Sequence, residues 1–543
     1  MKIRKHSALI LAAALTLGAA APLALADEDS VTPSAVSTIN AESKGKLVVH
    51  KYKQPENATG LENDGREIRP EQLSSLEALD GVNFKIQKLS AIDLTTLDGW
   101  QKYAELAEKA KSSDAKTVAT QNGLEGSASS KKTSDGGVAT FDELELGVYL
   151  VEEDPAGSDA SVKGRVTPIK PFLVSVPLTN PESKDSWMYT VNVYPKNALP
   201  EAEKSVKDDT TYKIGDKLTY TIDTDIPDTD DLSVYKIVDR YDTEHLEGVN
   251  VKSVEIVGKG EQTLTADSDY KVTDTAYNGK PQVVVDFANG LAKLKQARKA
   301  GDKTTKVRVT IEATVSSLGD NGQISNQAFL IPNDSTSETD ENPGTPTNTV
   351  VSKFGKIQIT KVGEDSAKLD GAVFEVHKCK VSNEEIAKIN TAEALVDTNY
   401  KAAKADKVDP EALVTTAPTV GGVTNVSGLR YNDWKNQSKV SEGQIDLTNP
   451  DQYGEYNAYC LIEKTAPNGY ELLPAPAPFV ISKNTMTNAE AATLKFNIKN
   501  VKKNGGFDLP LTGGNGIAAA GIAGGLLMAG GTFLALRRRR DTK

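Results

Sequence analysis

The sequence predicts an all-β chain built as three tandem antiparallel sandwiches, and three observations lead there. Short runs with apolar, often β-branched residues at alternate positions recur along the chain, broken by Gly, Asn, Asp and Pro. One such pattern occurs twice: residues 45–51 (GKLVVHK) return as 355–361 (GKIQITK), 81–86 as 371–376, and 147–153 as the pattern of 456–463. At 543 residues the chain is too long for one core, and ~100–200 residues per domain suggest about three. Two related sandwiches therefore bracket a third.

The elements follow in order. Lys2, Arg4 and Lys5 precede an apolar run over 8–21, and Ala24-Leu25-Ala26 offers a small-x-small cleavage site. Residues 1–26 read as a secretory signal peptide, with the mature chain beginning near Asp27. Residues 27–43 are polar and expected to be disordered. The first domain spans 44–197, its opening strand carrying Leu47 and Val49 on one face. It holds an inserted amphipathic helix over 94–110, with Leu97, Trp100, Tyr103, Ala104, Leu106 and Ala107 at helical spacing. The Gly- and Ser-rich stretch 122–137 reads as an exposed loop.

The middle domain spans 198–350. Leu218, Tyr220 and Ile222 alternate in one strand and Val307, Val309 and Ile311 in another, with a further strand over 251–257 and a helix over 287–300. Residues 333–348 are rich in Ser, Thr, Asn, Asp, Glu and Pro and read as a linker or exposed loop. The third domain spans 351–503. The tail, 504–543, reads Leu509-Pro510-Leu511-Thr512-Gly513, then an uncharged run over 517–536 of membrane-spanning length, then four arginines, Arg537 to Arg540.

Composition narrows the function. A net charge of −12 argues against nucleic-acid binding, which needs a basic stripe. In an exported chain the two cysteines, Cys379 and Cys460, most simply form one disulfide, whose long loop corresponds to about 4 kcal/mol in the loop-entropy model. Four histidines, none in a motif with a cysteine, make a Cys-His enzyme improbable. No Gly-x-Ser-x-Gly, Walker loop or His-Glu-x-x-His occurs, and the acidic cluster 228–231 reads as a solvated turn. No cofactor and no metal are expected.

Three motifs carry a family resemblance. Leu509 to Gly513, followed by an apolar span and a basic end, resembles the sorting signal cut by sortases of Gram-positive bacteria. Tyr194-Pro195-Lys196-Asn197 resembles the pilin motif, and residues 459–470 resemble the pilin E-box, departing from it at Lys464 while keeping Glu463. The chain is thus similar to the major shaft subunits of sortase-assembled pili, most of all the type 1 fimbrial major subunits of oral Actinomyces.

The resemblance implies immunoglobulin-like domains, Cna A-type in the middle and Cna B-type at the end. It also implies that the Lys196 amine is joined to the Thr512 carbonyl of an identical subunit by a pilus-specific class C sortase, while a housekeeping sortase attaches the polymer to peptidoglycan. A tip pilin and a host or salivary surface ligand are further implied partners, and the membrane holds only the precursor. The protein is then a sortase substrate rather than an enzyme. The alternative is a monomeric wall-anchored adhesin or basal pilin, which needs the sorting signal but not Lys196.

The family also ties its domains internally by Lys–Asn isopeptides beside a buried carboxyl. Burial favours a neutral, nucleophilic lysine and a protonated acid, which polarises the asparagine amide and passes a proton as ammonia leaves. Phase selects the partners. Ile357 and Ile359 facing inward bring Lys361 inward, and Phe496 and Ile498 do the same for Asn500, whereas Asn497 points out. The expected set is Lys361 and Asn500 with Glu463. In the middle domain the resemblance to the Cna A-type module implies Lys204 and Asn326 with Asp239, Asn326 opening the Asn-x-Ala signature, with Lys207 and Asn321 as nearby competitors. The first domain has Lys51 and Glu153 in the matching places. Pro195, however, is expected to end the ladder of Val191 and Val193, which leaves Asn197 beyond it beside Lys196, and no internal bond is expected there. Two cross-links are expected in all.

Overall fold

The computed structural model describes residues 39–503 apart from 56–58, 184–185, 230–231, 302–303, 320, 392–402, 438–442 and 487–492. The expected signal peptide, most of 27–43 and the whole sorting signal with Thr512 lie outside the described residues, as do Asp230 and Asp231 of the acidic cluster.

In the first sandwich one sheet has the order Thr190–Val193, Gly45–His50, Val138–Leu144, and the other the order Leu124–Lys132, Asn83–Leu89, Gly147–Glu153, Phe172–Val176. Strict alternation buries Leu47 and Val49 against Phe84, Ile86, Phe141, Val151 and Val191. The opening strand pairs in parallel with the late strand, Val49 opposite Val193.

Helix Leu97–Ser112 is capped by the Thr96 side chain, which accepts from the Gly99 N–H. Its apolar face turns Leu106, Trp100 and Tyr103 to a cluster with Leu89 and Leu150, while Leu97, expected on that face, is 74% exposed at the first turn. A second helix, Ala115–Gln121, follows unexpectedly, capped by Asp114. The stretch expected as a loop over 122–137 contains instead the edge strand Leu124–Lys132, antiparallel to Asn83–Leu89. Its side chains are almost all exposed, so backbone pairing forms it without an apolar alternation that a sequence would display.

The middle sandwich faces a sheet of order Ala202–Lys207, Lys217–Asp225, Lys306–Val315, Leu246–Val257, Gln262–Thr263 against Lys271–Tyr277, Lys280–Asp286, Lys236–Arg240 and Gln323–Ile331. Leu218, Tyr220, Ile222, Val307, Val309 and Ile311 meet Ile237, Val283 and Val285 in its core. The helix is Leu291–Ala300, shorter than expected, because Phe287 is consumed by the core and Gly290 stands at the cap position. The 333–348 segment folds back: Thr345–Pro346 pairs with Leu330 and Phe329, and the Arg240 guanidinium donates to the carbonyls of Glu338, Asp340 and Glu341.

The strand Val350–Val362 leaves this sheet and enters the next, pairing with 323–326 at its start and with Val423–Arg430 and Thr493–Lys499 further on. The last sandwich is completed by Ala405–Thr415, Val373–Val381, Ala458–Thr465 and Ala477–Phe479. Cys379 lies within Val373–Val381. Opening and closing strands again run parallel, Lys361 opposite Ile498. In both repeat copies this parallel pair sets the end of the first strand beside the end of the last.

Candidate functional site

The last sandwich gathers three polar side chains at that junction. Lys361 is fully buried, with its Nζ 3.1 Å from Glu463 Oε1 and in contact with Asn500 Oδ1. Asn500 Nδ2 donates to both Glu463 oxygens at 2.9 Å, and the Leu473 N–H donates to Oε2. The ammonium lies over the Phe374 ring, 5.4 Å from its centroid. Burial pulls Lys361 down from its ordinary value to about 8, with Glu463 opposing. Asn497 is half-buried and outside the cluster, as its phase requires. The Phe496 side chain lies outside the described residues.

The first sandwich repeats the arrangement, against the sequence expectation. Lys51 and Asn197 are both fully buried; Lys51 Nζ stands 2.9 Å from Glu153 Oε2 and touches Asn197 Oδ1, and Asn197 Nδ2 touches Glu153 Oε1. Phe84 lies under the ammonium, 5.5 Å from Nζ to the ring centroid, as Phe374 does in the other copy. Burial lowers the Lys51 pKa. Pro195 does not end the ladder. Its carbonyl still accepts from the Tyr52 N–H at 3.2 Å, and beyond it Lys196–Asn197 pairs in parallel with Tyr52–Lys53. Proline lacks a donor but keeps its carbonyl for the ladder, so the inward phase of Val191 and Val193 carries through to Asn197. That phase was the signal available in the sequence.

In the middle sandwich Lys204, Asp239 and Asn326 are each only 1% exposed. Lys204 Nζ is 2.6 Å from Asp239 Oδ1, and Asn326 Nδ2 is 3.5 Å from Asp239 Oδ2. Lys204 lies over Tyr220, 4.9 Å from the centroid, and burial lowers its pKa. Lys207 and Asn321 are exposed and stand outside the cluster. The aromatic floors, Phe84, Tyr220 and Phe374, went unread in the sequence because they look like ordinary core positions.

Each set thus joins a desolvated amine, a primary amide and a carboxyl that touches the amine and faces the amide nitrogen. That geometry suits one amide bond made with loss of ammonia. Lys196, next to Asn197, faces the other way and is half-buried, and burial lowers its pKa. Cys379 and Cys460 form a disulfide with Cα atoms 5.8 Å apart. Among the described residues no group of three or more His, Cys, Asp and Glu could hold a metal ion.

Three family models match the chain. Gram-positive pilin subunit D1, N-terminal domain, matches residues 42–198; the prealbumin-like fold domain matches 355–495; and the LPXTG cell wall anchor motif matches 501–543. The fimbrial subunit type 1 of Actinomyces viscosus is 33% identical over 98% of this chain and 97% of its own length. The fimbrial subunit type 2 of Actinomyces naeslundii is 30% identical over 92% of this chain and 91% of its own. The full-length major pilin SpaD of Corynebacterium diphtheriae superposes with a TM-score of 0.62 at 28% identity, covering 86% of this chain and 100% of that one. For the fimbrial protein FimP of Actinomyces oris the TM-score is 0.54 at 28% identity, covering 87% and 100%.

Proposed function

The chain belongs to the Gram-positive fimbrial subunits, cell-wall-anchored pilins of surface fimbriae, and from that premise we propose that it is the shaft subunit of a covalent polymer. In this reading three domains, 44–197, 198–350 and 351–503, are strung head to tail. The Lys196 amine of one subunit takes the Thr512 acyl group of the next from a class C sortase, and a housekeeping sortase attaches the finished fibre to peptidoglycan. The fibre supports adhesion to host surfaces, with a tip pilin at its end.

The observation that carries the reading is the threefold recurrence of a buried lysine, carboxyl and asparagine, one of them adjoining Lys196. A shaft under shear gains from ties that do not unfold. In the last domain the Lys361 ammonium passes a proton to the Glu463 carboxylate, and the freed amine attacks the Asn500 side-chain carbon. The new C–N bond forms as the amide C–N bond breaks; Glu463 gives its proton to the departing nitrogen and takes up the second proton that the lysine nitrogen sheds, and ammonia leaves. Lys204, Asp239 and Asn326 act alike in the middle domain. The same reading now takes in Lys51, Glu153 and Asn197, which makes three internal bonds rather than two.

Two measurements test it. Cell-wall extracts boiled in SDS should give a high-mass ladder that disappears in Lys196→Arg; a ladder persisting in that strain overturns the choice of amine, and no ladder in the parent favours a monomeric adhesin or basal pilin. The intact mass of the reduced recombinant ectodomain should fall short of the mass of its own sequence by about 17 Da for each ammonia lost, about 51 Da in all. A deficit of about 34 Da would withdraw one of the three bonds.

A further inference from the structure

The outward side of the Lys196 strand holds a construction that the internal bonds do not use. Val49 pairs with Val193 and Tyr52 with Lys196 in parallel register, so paired side chains leave on the same face. Lys51 and Asn197 occupy the inner face, where they touch. His50, Tyr52, Tyr194 and Lys196 therefore share the outer one. There the His50 and Tyr194 rings stack with centroids 4.6 Å apart and planes 9° from parallel. Tyr194 is 5% exposed and Tyr52 7%, unusual burial for rings on the side of a strand that faces away from the core.

Hydrogen bonds fix the stack on both sides. The Tyr194 hydroxyl accepts from the Ile68 N–H at 2.7 Å, and His50 Nε2 meets Asn192 Oδ1 at 3.0 Å. The Asn192 N–H donates to the Gly65 carbonyl at 2.9 Å, so the 65–68 segment is laced over this face. Lys196 continues the same row by one step.

We propose that His50, Tyr52 and Tyr194 form an aromatic floor that positions the Lys196 amine for acyl transfer, which rests on the reading of Lys196 as the acceptor. In that step the neutral amine attacks the carbonyl carbon of the thioester between Thr512 and the sortase cysteine. The C–N bond forms, the C–S bond breaks, and the departing thiolate takes the proton shed by nitrogen. The floor narrows the directions open to the lysine stem and keeps water from one side of it, in line with the burial that already lowers the Lys196 pKa.

The test uses membranes carrying the full chain and its sortase, with hydroxylamine as a competing amine, and reads the ratio of Lys196-linked polymer to Thr512 hydroxamate. His50→Asn keeps a hydrogen-bonding group but removes the ring, and should lower the ratio about tenfold; His50→Phe restores a ring and should stay within about twofold of the parent. Tyr52→Leu, which keeps apolar bulk, should also lower it, and serves where His50→Asn does not fold. A parent ratio in a folded His50→Asn chain or in Tyr52→Leu overturns the floor while leaving the acceptor intact. Polymer persisting in Lys196→Arg instead overturns the acceptor.

Discussion

A buried lysine left unreacted would make its surroundings pH-dependent, and Lys361 shows how. In Asn500→Ala the electrophile is gone and the amine must titrate. Its folded value of about 8 lies below the ordinary 10.5, because desolvation outweighs Glu463. Between those values the unfolded chain binds the proton that the folded chain has released, so stability rises with pH across that window. The gain is up to about 3 kcal/mol, and urea midpoints of Asn500→Ala at pH 7.5 and 9.5 should separate accordingly, while the bonded parent lacks this slope. Glu463→Ala should likewise keep the ammonia, seen as a shortfall from the mass of its own sequence about 17 Da smaller than the parent's. At this scale the sequence was legible wherever strand phase alone decides burial, as for Lys361 and Asn500. Asn197 was misjudged because a proline was credited with breaking a ladder, when its carbonyl and the next N–H groups kept one going.

At the scale of elements, the disulfide and the proposed bond of the last sandwich are nested. Cys379 and Cys460, 81 residues apart, lie inside the loop that Lys361 and Asn500 would close, 139 residues apart. Closing the outer ring already shortens the excursions open to the inner one in the unfolded chain, so their effects on stability should not add. Replacing both cysteines by alanine should therefore cost less in the parent than in Glu463→Ala, where the outer ring stays open. A double-mutant cycle on urea unfolding measures the difference, and strict additivity would count against the outer bond. Elements defined by an apolar stripe were readable, including the helix Leu97–Ser112 and the alternating strands. Elements defined by backbone pairing were not, since Leu124–Lys132 buries almost nothing and Ala115–Gln121 is short and announced only by Asp114.

At the scale of the whole molecule, the middle and last sandwiches are joined by a strand rather than a tether. The sequence suggested a linker before residue 350, but 333–348 is pinned by Arg240 and by pairing at Thr345–Pro346, and Val350–Val362 runs on through the junction. Beside it Asp208, fully buried, accepts from the Ser352 hydroxyl and the Asn436 N–H, both at 2.7 Å. The Asn436 side chain returns the contact, accepting from the Asp208 N–H at 3.0 Å, and Arg430 faces the carboxylate across the junction. The first and middle sandwiches share less, with Asn333 Nδ2 donating to the Val166 carbonyl at 2.7 Å and Lys53 3.7 Å from Glu201. Pulling force should accordingly pass between the last two domains without hinging, and bending should concentrate after residue 197. Asp208→Ala removes the acceptor of the Ser352 hydroxyl and the Asn436 N–H, at about 1–3 kcal/mol for each buried donor left unsatisfied. Small-angle scattering should then show the last two domains reorienting, whereas the parent keeps one fixed angle between them and a spread of angles to the first. A spread in the parent as wide at the second junction as at the first would mean that the shared strand bends, and stiffness would have to come from the cross-links alone.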